Sequence, residues 1–297
     1  MKADQVYTEI TEKIIEKLEA GIATGRWEPP WHDRLAGLPH NATTSKAYTG
    51  GNVIALWITE LDNEYPTSEW ATYRQWEAIG AQVRKGEKAT HLIRWVEPSG
   101  KRDRAARGDD AKKPHLVPVG FAVFNAAQVD GYAPEVIDTS NAPTPIEHAE
   151  AFFGATGSHV IQHNEGRAAY LPAADYIVIP PIEDFKSVEG YYATLAHEHV
   201  HWTGHGDRLA REGITAGAAK TREQYAYEEL IAELGSAFLG ATLGITPELR
   251  DDHVQYLKSW LGALKNDNKL LFKAATQASK AVDFLSAFSE EKVEVAA

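Results

Sequence analysis

The sequence predicts an α+β protein built in two units. A small N-terminal α+β domain occupies residues 1–133, a linker occupies 134–145, and a second mixed domain occupies 146–297. Three observations carry this. Helical periodicity gives way to strand alternation inside the first unit. A Pro/Ser/Asn-rich stretch, PEVIDTSNAPTP, then breaks the pattern. Beyond it, short strands lead into a helix that holds His197-Glu198-His199-Val200-His201, and more amphipathic helices follow.

The elements justify themselves in order. Ile10, Ile14, Leu18 and Ile22 recur at i+4 and predict a helix over 4–24, ended by Gly25 and Pro29-Pro30. Trp27 and Trp31 flank those prolines as loop anchors. Asn41 to Gly51 has turn chemistry, and Asn52 is placed to cap a helix carrying Val53, Leu56, Trp57 and Leu61. A short helix is expected from Ser68. After Gly80, residues 81–98 and 115–132 alternate as strands around the polar segment KRDRAARGDDAKKP. In the second unit, a helix at 146–156 precedes short strands at 159–162, 168–171 and 176–179. Ser187 or the residues just before it can cap the motif helix, and Gly204 with Gly206 stops it. Helices over about 223–243, 247–264 and 269–288 close the chain.

Composition narrows the function classes. With no cysteine, disulfides and thiolate ligands are excluded, so a metal site must use His and carboxylates. The charged N-terminus lacks the apolar core of a signal peptide, and no apolar run reaches the roughly 18 residues of a membrane span. A cytoplasmic protein without a membrane partner is expected. The net charge of −12 opposes a globally basic nucleic-acid binder. The acidity is uneven, however: residues 1–133 carry 17 Lys/Arg against 18 Asp/Glu, and residues 134–297 carry 13 against 24. Arg84 to Lys113 holds ten basic and five acidic residues. That suits either a local polyanion-binding surface or a solvated loop of mixed charge.

The H-E-x-x-H match carries the chemistry. On a helix, i and i+4 share a face, so His197 and His201 can hold one metal ion between them. Glu198 beside them can take a proton from a water activated by that ion. Zinc sites of this kind use a third protein ligand. His199, at i+2, points away from the metal face. His205, Asp207, Glu228, Glu229 and Glu233 remain, and the small, polar face of YAYEELIAELGSAFLG favours Glu229 or Glu233. The other glutamate would then support a ligand imidazole from behind. Zinc is the default ion, with manganese or another divalent metal also compatible. The competing reading is an ordinary helix with surface histidines.

At these residues a resemblance becomes visible. YYATLAHEHVHWTGHGDRLAR, the helix YAYEELIAELGSAFL and the later SWLGALKNDNKLLFKAATQASKAVDFL resemble the zincin-like metallopeptidase domain of ArdC-type antirestriction proteins of conjugative plasmids. Tyr48-Thr49-Gly50-Gly51-Asn52, Trp70 to Gln75, Val83 to Lys88 and Phe121 to Gln128 resemble the family's N-terminal domain, which is shared with TraC-type primases. The resemblance implies a single-stranded-DNA-binding domain before a SprT-like metallopeptidase fold, and a role in protecting incoming plasmid DNA from host restriction. It implies His197, His201 and Glu229 as metal ligands and Glu198 as general base, which leaves Glu233 as the glutamate in the supporting position. The peptidase substrate is left open between host restriction-modification proteins and another protein. His199 departs from the leucine usual after the motif glutamate.

Read from the residues, nonspecific single-strand binding needs cations along a track and rings for stacking. Arg74, Arg84, Lys85, Lys88 and Arg94 interleave with Tyr48, Trp57, Trp70, Tyr73, Trp76 and Trp95. Asn52, Gln75, Asn125 and Gln128 add amides for phosphate or base edges. Two alternatives compete with a DNA-binding peptidase: a noncatalytic DNA-protecting protein with a structural metal, and a peptidase acting on proteins only.

Overall fold

The computed structural model describes residues 2–24, 37–97, 116–133, 144–163, 167–245 and 254–296. Trp27, Trp31, the polar segment around 101–114 and most of the expected linker lie outside these residues.

Helix α1 (Ala3–Thr24) buries Ile10, Ile14 and Leu18, the stripe that its i+4 pattern predicts. Strand β1 (His40–Asn41) and helix α2 (Gly51–Asn63) follow. Next come β2 (Glu69–Ala71), α3 (Tyr73–Ala78), β3 (Gln82–Val83), β4 (Thr90–Val96), β5 (Val117–Asn125) and β6 (Val129–Asp130). They form a four-stranded sheet in the order β1-β2-β5-β4 and a two-stranded antiparallel pair, β3-β6. Only β1 and β2 run parallel; β2–β5 and β5–β4 are antiparallel.

Two local expectations are corrected here. Residues 69–71 are a strand and not the start of a helix, because Trp70 and Ala71 pair with Asn125 and Phe124. The helix begins at Tyr73, where Thr72 and Gln75 exchange hydrogen bonds as a capping box. Asn52 does not cap α2, whose N-cap is Gly50. Its side-chain amide instead grips the Ile93 backbone, donating to the carbonyl at 2.8 Å and accepting from the N–H at 3.0 Å.

The second half adds α4 (Pro145–Ala155), β7 (His159–Gln162), β8 (Ala169–Leu171) and β9 (Tyr176–Ile179). These strands make a sheet in the order β7-β9-β8, with β7–β9 parallel and β8–β9 antiparallel. Helices α5 (Val188–Thr203), α6 (Glu212–Thr215), α7 (Arg222–Leu243), α8 (Val254–Asn266) and α9 (Leu270–Ala296) complete the chain.

One hydrophobic core runs through both halves, from Ile14 and Trp57 to Phe238 and Leu285. The Trp57 and Phe238 ring centroids lie 5.6 Å apart. Hydrogen bonds also cross between the halves, among them those from Thr11 Oγ1 to the Asn268 carbonyl and from Gly50 N–H to Ser279 Oγ, each at 2.8 Å. Gly51 is required where α2 meets α9, because a Cβ there would stand 2.1 Å from Cδ1 of Phe272. No helix among the described residues is long and apolar enough to cross a membrane.

Candidate metal centre

Helices α5 and α7 pack face to face and build the site. The Ser187 hydroxyl accepts the Gly190 N–H at 3.0 Å and fixes the start of α5. The Thr221–Gln224 capping box does the same for α7. The helices come close because Gly235 faces Val200: a Cβ there would lie 2.7 Å from Val200 Cγ2. The Ser236 hydroxyl closes the approach by donating to the Ala193 carbonyl at 2.9 Å.

That approach brings Glu229 against the two motif histidines. His197 Nε2 and His201 Nε2 are 3.1 Å apart, and each lies 3.5 Å from a different oxygen of Glu229. One ligand atom from each of the three residues falls within 4.8 Å of the others. Among the described residues, His197 Nδ1 is buried without a hydrogen-bond partner. In neutral imidazoles, two Nε2 lone pairs would face each other and a carboxylate, an arrangement that a divalent cation satisfies. The donor set therefore fits a divalent metal.

Charges around the triad reinforce one another. Burial pushes the Glu229 carboxyl up, but the two histidines and Tyr225 outweigh it and hold it at about 2. Burial also opposes a charge on His201, yet Glu228, Glu229 and Glu198 together raise its pKa.

Behind His201 stands Glu228, one of the ligand candidates. Its carboxylate takes the His201 Nδ1 hydrogen bond at 3.2 Å and faces away from the metal position. Arg211 Nε donates to Glu228 Oε2 at 3.0 Å, and Arg211 Nη2 donates to Oε1 at 2.6 Å. Burial pushes the Glu228 carboxyl up, and His201 with Arg211 more than reverses this. Arg211 is itself buried, bonded to Thr203 Oγ1 at 2.7 Å and to the Val200 carbonyl at 2.6 Å. Nothing local in the sequence marks this arginine. Glu233 is buried one turn beyond Glu229 on α7.

Glu198 is buried beside the histidines, and its Oε2 accepts the Tyr170 backbone N–H from β8 at 2.8 Å. The triad and Glu198 line a cleft of about 220 Å³, together with Arg167, Lys220 and Tyr225. His199 points the other way, as its i+2 position requires. It is fully buried, with Nδ1 2.8 Å from the Leu195 carbonyl and Nε2 2.8 Å from Ser158 Oγ. Burial holds its pKa down at about 4, so it is a neutral core residue.

The candidate DNA contacts divide sharply. Trp70 is fully buried, and its indole N–H donates to Glu60 at 2.7 Å. Asn125 caps the turn at 126–128 and donates to the Thr67 carbonyl, and Gln128 donates to Glu87 and the Lys88 carbonyl. Asn52 holds β4 as described, and Gln75 closes its capping box. Tyr48 is half-buried, its hydroxyl directed at the Trp70 carbonyl. Arg84 is exposed but bonded to Glu87 and to the Ala127 carbonyl. Tyr73, Arg74, Lys85 and Lys88 present their side chains to solvent, as do Arg94 and Trp95 on β4, the latter 58% exposed. Periodicity alone does not separate these sets, because a buried indole and an exposed one look alike in sequence.

Two family descriptions divide the chain between them. Residues 4–125 match the N-terminal domain of anti-restriction factor ArdC, and residues 147–277 match a zincin-like metallopeptidase. The metal-free crystal structure of antirestriction ArdC from plasmid R388 superposes with a TM-score of 0.75 at 39% identity, over 96% of this chain and 98% of that one. The chain belongs to the ArdC antirestriction family. The Mn(II)-bound structure of the same ArdC matches at 42% identity and a TM-score of 0.73, over 95% of this chain and 97% of that one. A further relative is the uncharacterized protein y4eC of Sinorhizobium fredii, 38% identical over 95% of this chain and 92% of its own length. The DNA primase TraC of Escherichia coli is 37% identical over 97% of this chain, which spans only 28% of the primase. The ArdC fold thus accounts for both halves of the molecule.

Proposed function

We propose that this ArdC-family protein binds single-stranded DNA through its N-terminal half and hydrolyses protein with a divalent metal centre in its C-terminal half, protecting plasmid DNA that enters a host from restriction. The observation that carries the catalytic part is the convergence of His197, His201 and Glu229 beside Glu198 in one cleft. His197, His201 and Glu229 hold the ion, with zinc as the preferred metal for this donor set.

A bound divalent ion supplies Lewis-acid polarisation of a carbonyl and a lowered pKa for an attacking water. Glu198 takes the proton from that water and returns it to the leaving amine. The Tyr170 N–H orients the Glu198 carboxylate. Glu228 orients the His201 ring and fixes which nitrogen carries the proton, and Arg211 keeps Glu228 ionised. A developing oxyanion needs a hydrogen-bond donor, and Tyr225 lines the cleft. Arg208 is held by Asp175 and lies over the Trp202 ring, while His205 accepts the Asp207 N–H.

On the N-terminal half, the exposed set Tyr73, Arg74, Lys85, Lys88, Arg94 and Trp95 supplies cations and ring faces for a single strand. Trp70, Asn125 and Gln128 instead hold this half together through their internal hydrogen bonds. Glu198→Gln tests the whole reading. It is expected to keep metal and single-strand affinity and to abolish proteolysis of any substrate that the wild type cuts. Proteolysis surviving in that variant overturns the mechanism.

A further inference from the structure

The charges that line the metal cleft are of two kinds. Its carboxylates are already engaged. Glu198 accepts the Tyr170 N–H, Glu228 is bonded to His201 and Arg211, and Glu229 faces the histidine pair. Nearby arginines are engaged as well, Arg211 by Glu228 and Arg208 by Asp175. Two cations on the cleft are not. Arg167 is exposed just before the edge strand β8, and Lys220 is half-buried just before α7, so they stand on different structural elements of the lining. Among the described residues neither has a carboxylate partner. The Lys220 ammonium lies 4.9 Å from the Tyr225 ring centroid, which places it next to the wall that carries Glu229.

We infer that the cleft selects acidic peptide segments, with Arg167 and Lys220 reading negative side chains on either flank of the bond presented to the metal. This rests on the peptidase reading and adds the substrate class to it. The protein's net charge of −12 repels acidic ligands at long range. That repulsion is screened beyond about 8–10 Å at ordinary salt, so local charges decide inside the cleft. There a bound divalent ion and Arg211 offset Glu198, Glu228 and Glu229, which leaves Arg167 and Lys220 to meet the ligand. A nucleic-acid strand is the poorer fit. It needs a track of cations with ring faces between them, and this lining offers two cations and one partly exposed tyrosine.

The test reads binding, which separates it from the question of turnover. Metal-loaded, full-length E198Q protein is titrated against two fluorescent peptides of equal length with the same apolar centre, one flanked by Asp/Glu and the other by Lys/Arg. The acidic peptide is expected to bind about tenfold tighter, the combined effect of two partly screened ion pairs. Adding R167Q/K220Q is expected to erase the preference, and adding R167E/K220E to reverse it. Equal binding of the two peptides, a preference for the basic one, no binding of the acidic one, or a preference that survives R167E/K220E overturns the proposal. So does displacement of the acidic peptide by an oligothymidine whose own binding depends on Arg167 and Lys220, which would make the rim a nucleic-acid contact. Failure of wild-type protein to cut any peptide would refute the peptidase reading alone and leave the binding comparison standing.

Discussion

His197 Nε2 and His201 Nε2 stand 3.1 Å apart with both oxygens of Glu229 opposite them, each 3.5 Å from one ring. One helical turn supplies the first spacing. The second depends on a glycine, because Gly235 lets α7 settle onto Val200. Gly235→Val is expected to push the helices apart and move Glu229 away from the pair. Overpacking of this kind costs about 1–3 kcal/mol. Metal affinity should fall together with the melting temperature, whereas Gly154→Val, at a position with open space around it, should leave affinity unchanged. Isothermal titration with Zn(II) and Mn(II) on both variants makes the comparison.

Glu228 and Arg211 form a buried ion pair that also holds His201. Removing one member leaves an uncompensated charge in the interior, typically about 3–5 kcal/mol of lost stability. Glu228→Ala and Arg211→Met should each destabilise the metal-free protein by about that amount in urea melts. The double variant should lose less than the sum of the two. Metal affinity should drop by about 10–100-fold in Glu228→Ala, because the His201 ring loses its anchor. Additive losses in the double variant would show that the pair is not a unit.

His199 gives a pH signature. Its folded pKa is depressed to about 4, while the unfolded chain protonates near 6.5. Below pH 6.5 the unfolded state therefore binds more protons, and stability falls as the pH drops toward 4. The full loss is on the order of 3 kcal/mol. Urea melts with chelator present, at pH 7.5 and pH 5, should show a smaller acid loss in His199→Leu than in the wild type. An identical loss in both would mean that the histidine is not held neutral.

Much of the centre is legible in the sequence because its chemistry is local. His197 and His201 announce themselves by a four-residue spacing, and Ser187 and Gly204 bound their helix. Glu229 is readable as a carboxylate on a small-residue face, though the residues alone leave it level with Glu233. The support behind His201 is not legible. Arg211 reaches Glu228 across 17 positions of sequence, and no periodicity encodes that bond. The N-terminal half misleads for a related reason. Trp70 and Asn125 carry side chains that suit a nucleic acid, but pairing of β2 with β5 turns them into the core, where their polar atoms are consumed. Thr72-x-x-Gln75 marks the true start of α3 and is a fuller capping signal than Ser68, which has no such partner three residues on.

Exposure separates the candidate DNA contacts into two groups with different expected phenotypes. Arg74→Ala, Lys85→Ala and Lys88→Ala combined should flatten the salt dependence of oligothymidine binding by roughly 0.7 in slope for each phosphate no longer neutralised, with stability unchanged. Trp70→Ala should instead unfold the domain, since emptying such a site costs about 3–5 kcal/mol. An unchanged slope in the triple variant would move the DNA face elsewhere.

The binding of one divalent ion by His197, His201 and Glu229 together is tested most directly by metal content and titration of dialysed wild-type protein beside Glu229→Gln. The wild type should bind one equivalent, and the variant should lose affinity by at least about tenfold while keeping its fold by circular dichroism. Equal affinity in the two proteins, or binding that survives replacement of both histidines by alanine, would contradict a shared three-residue metal site.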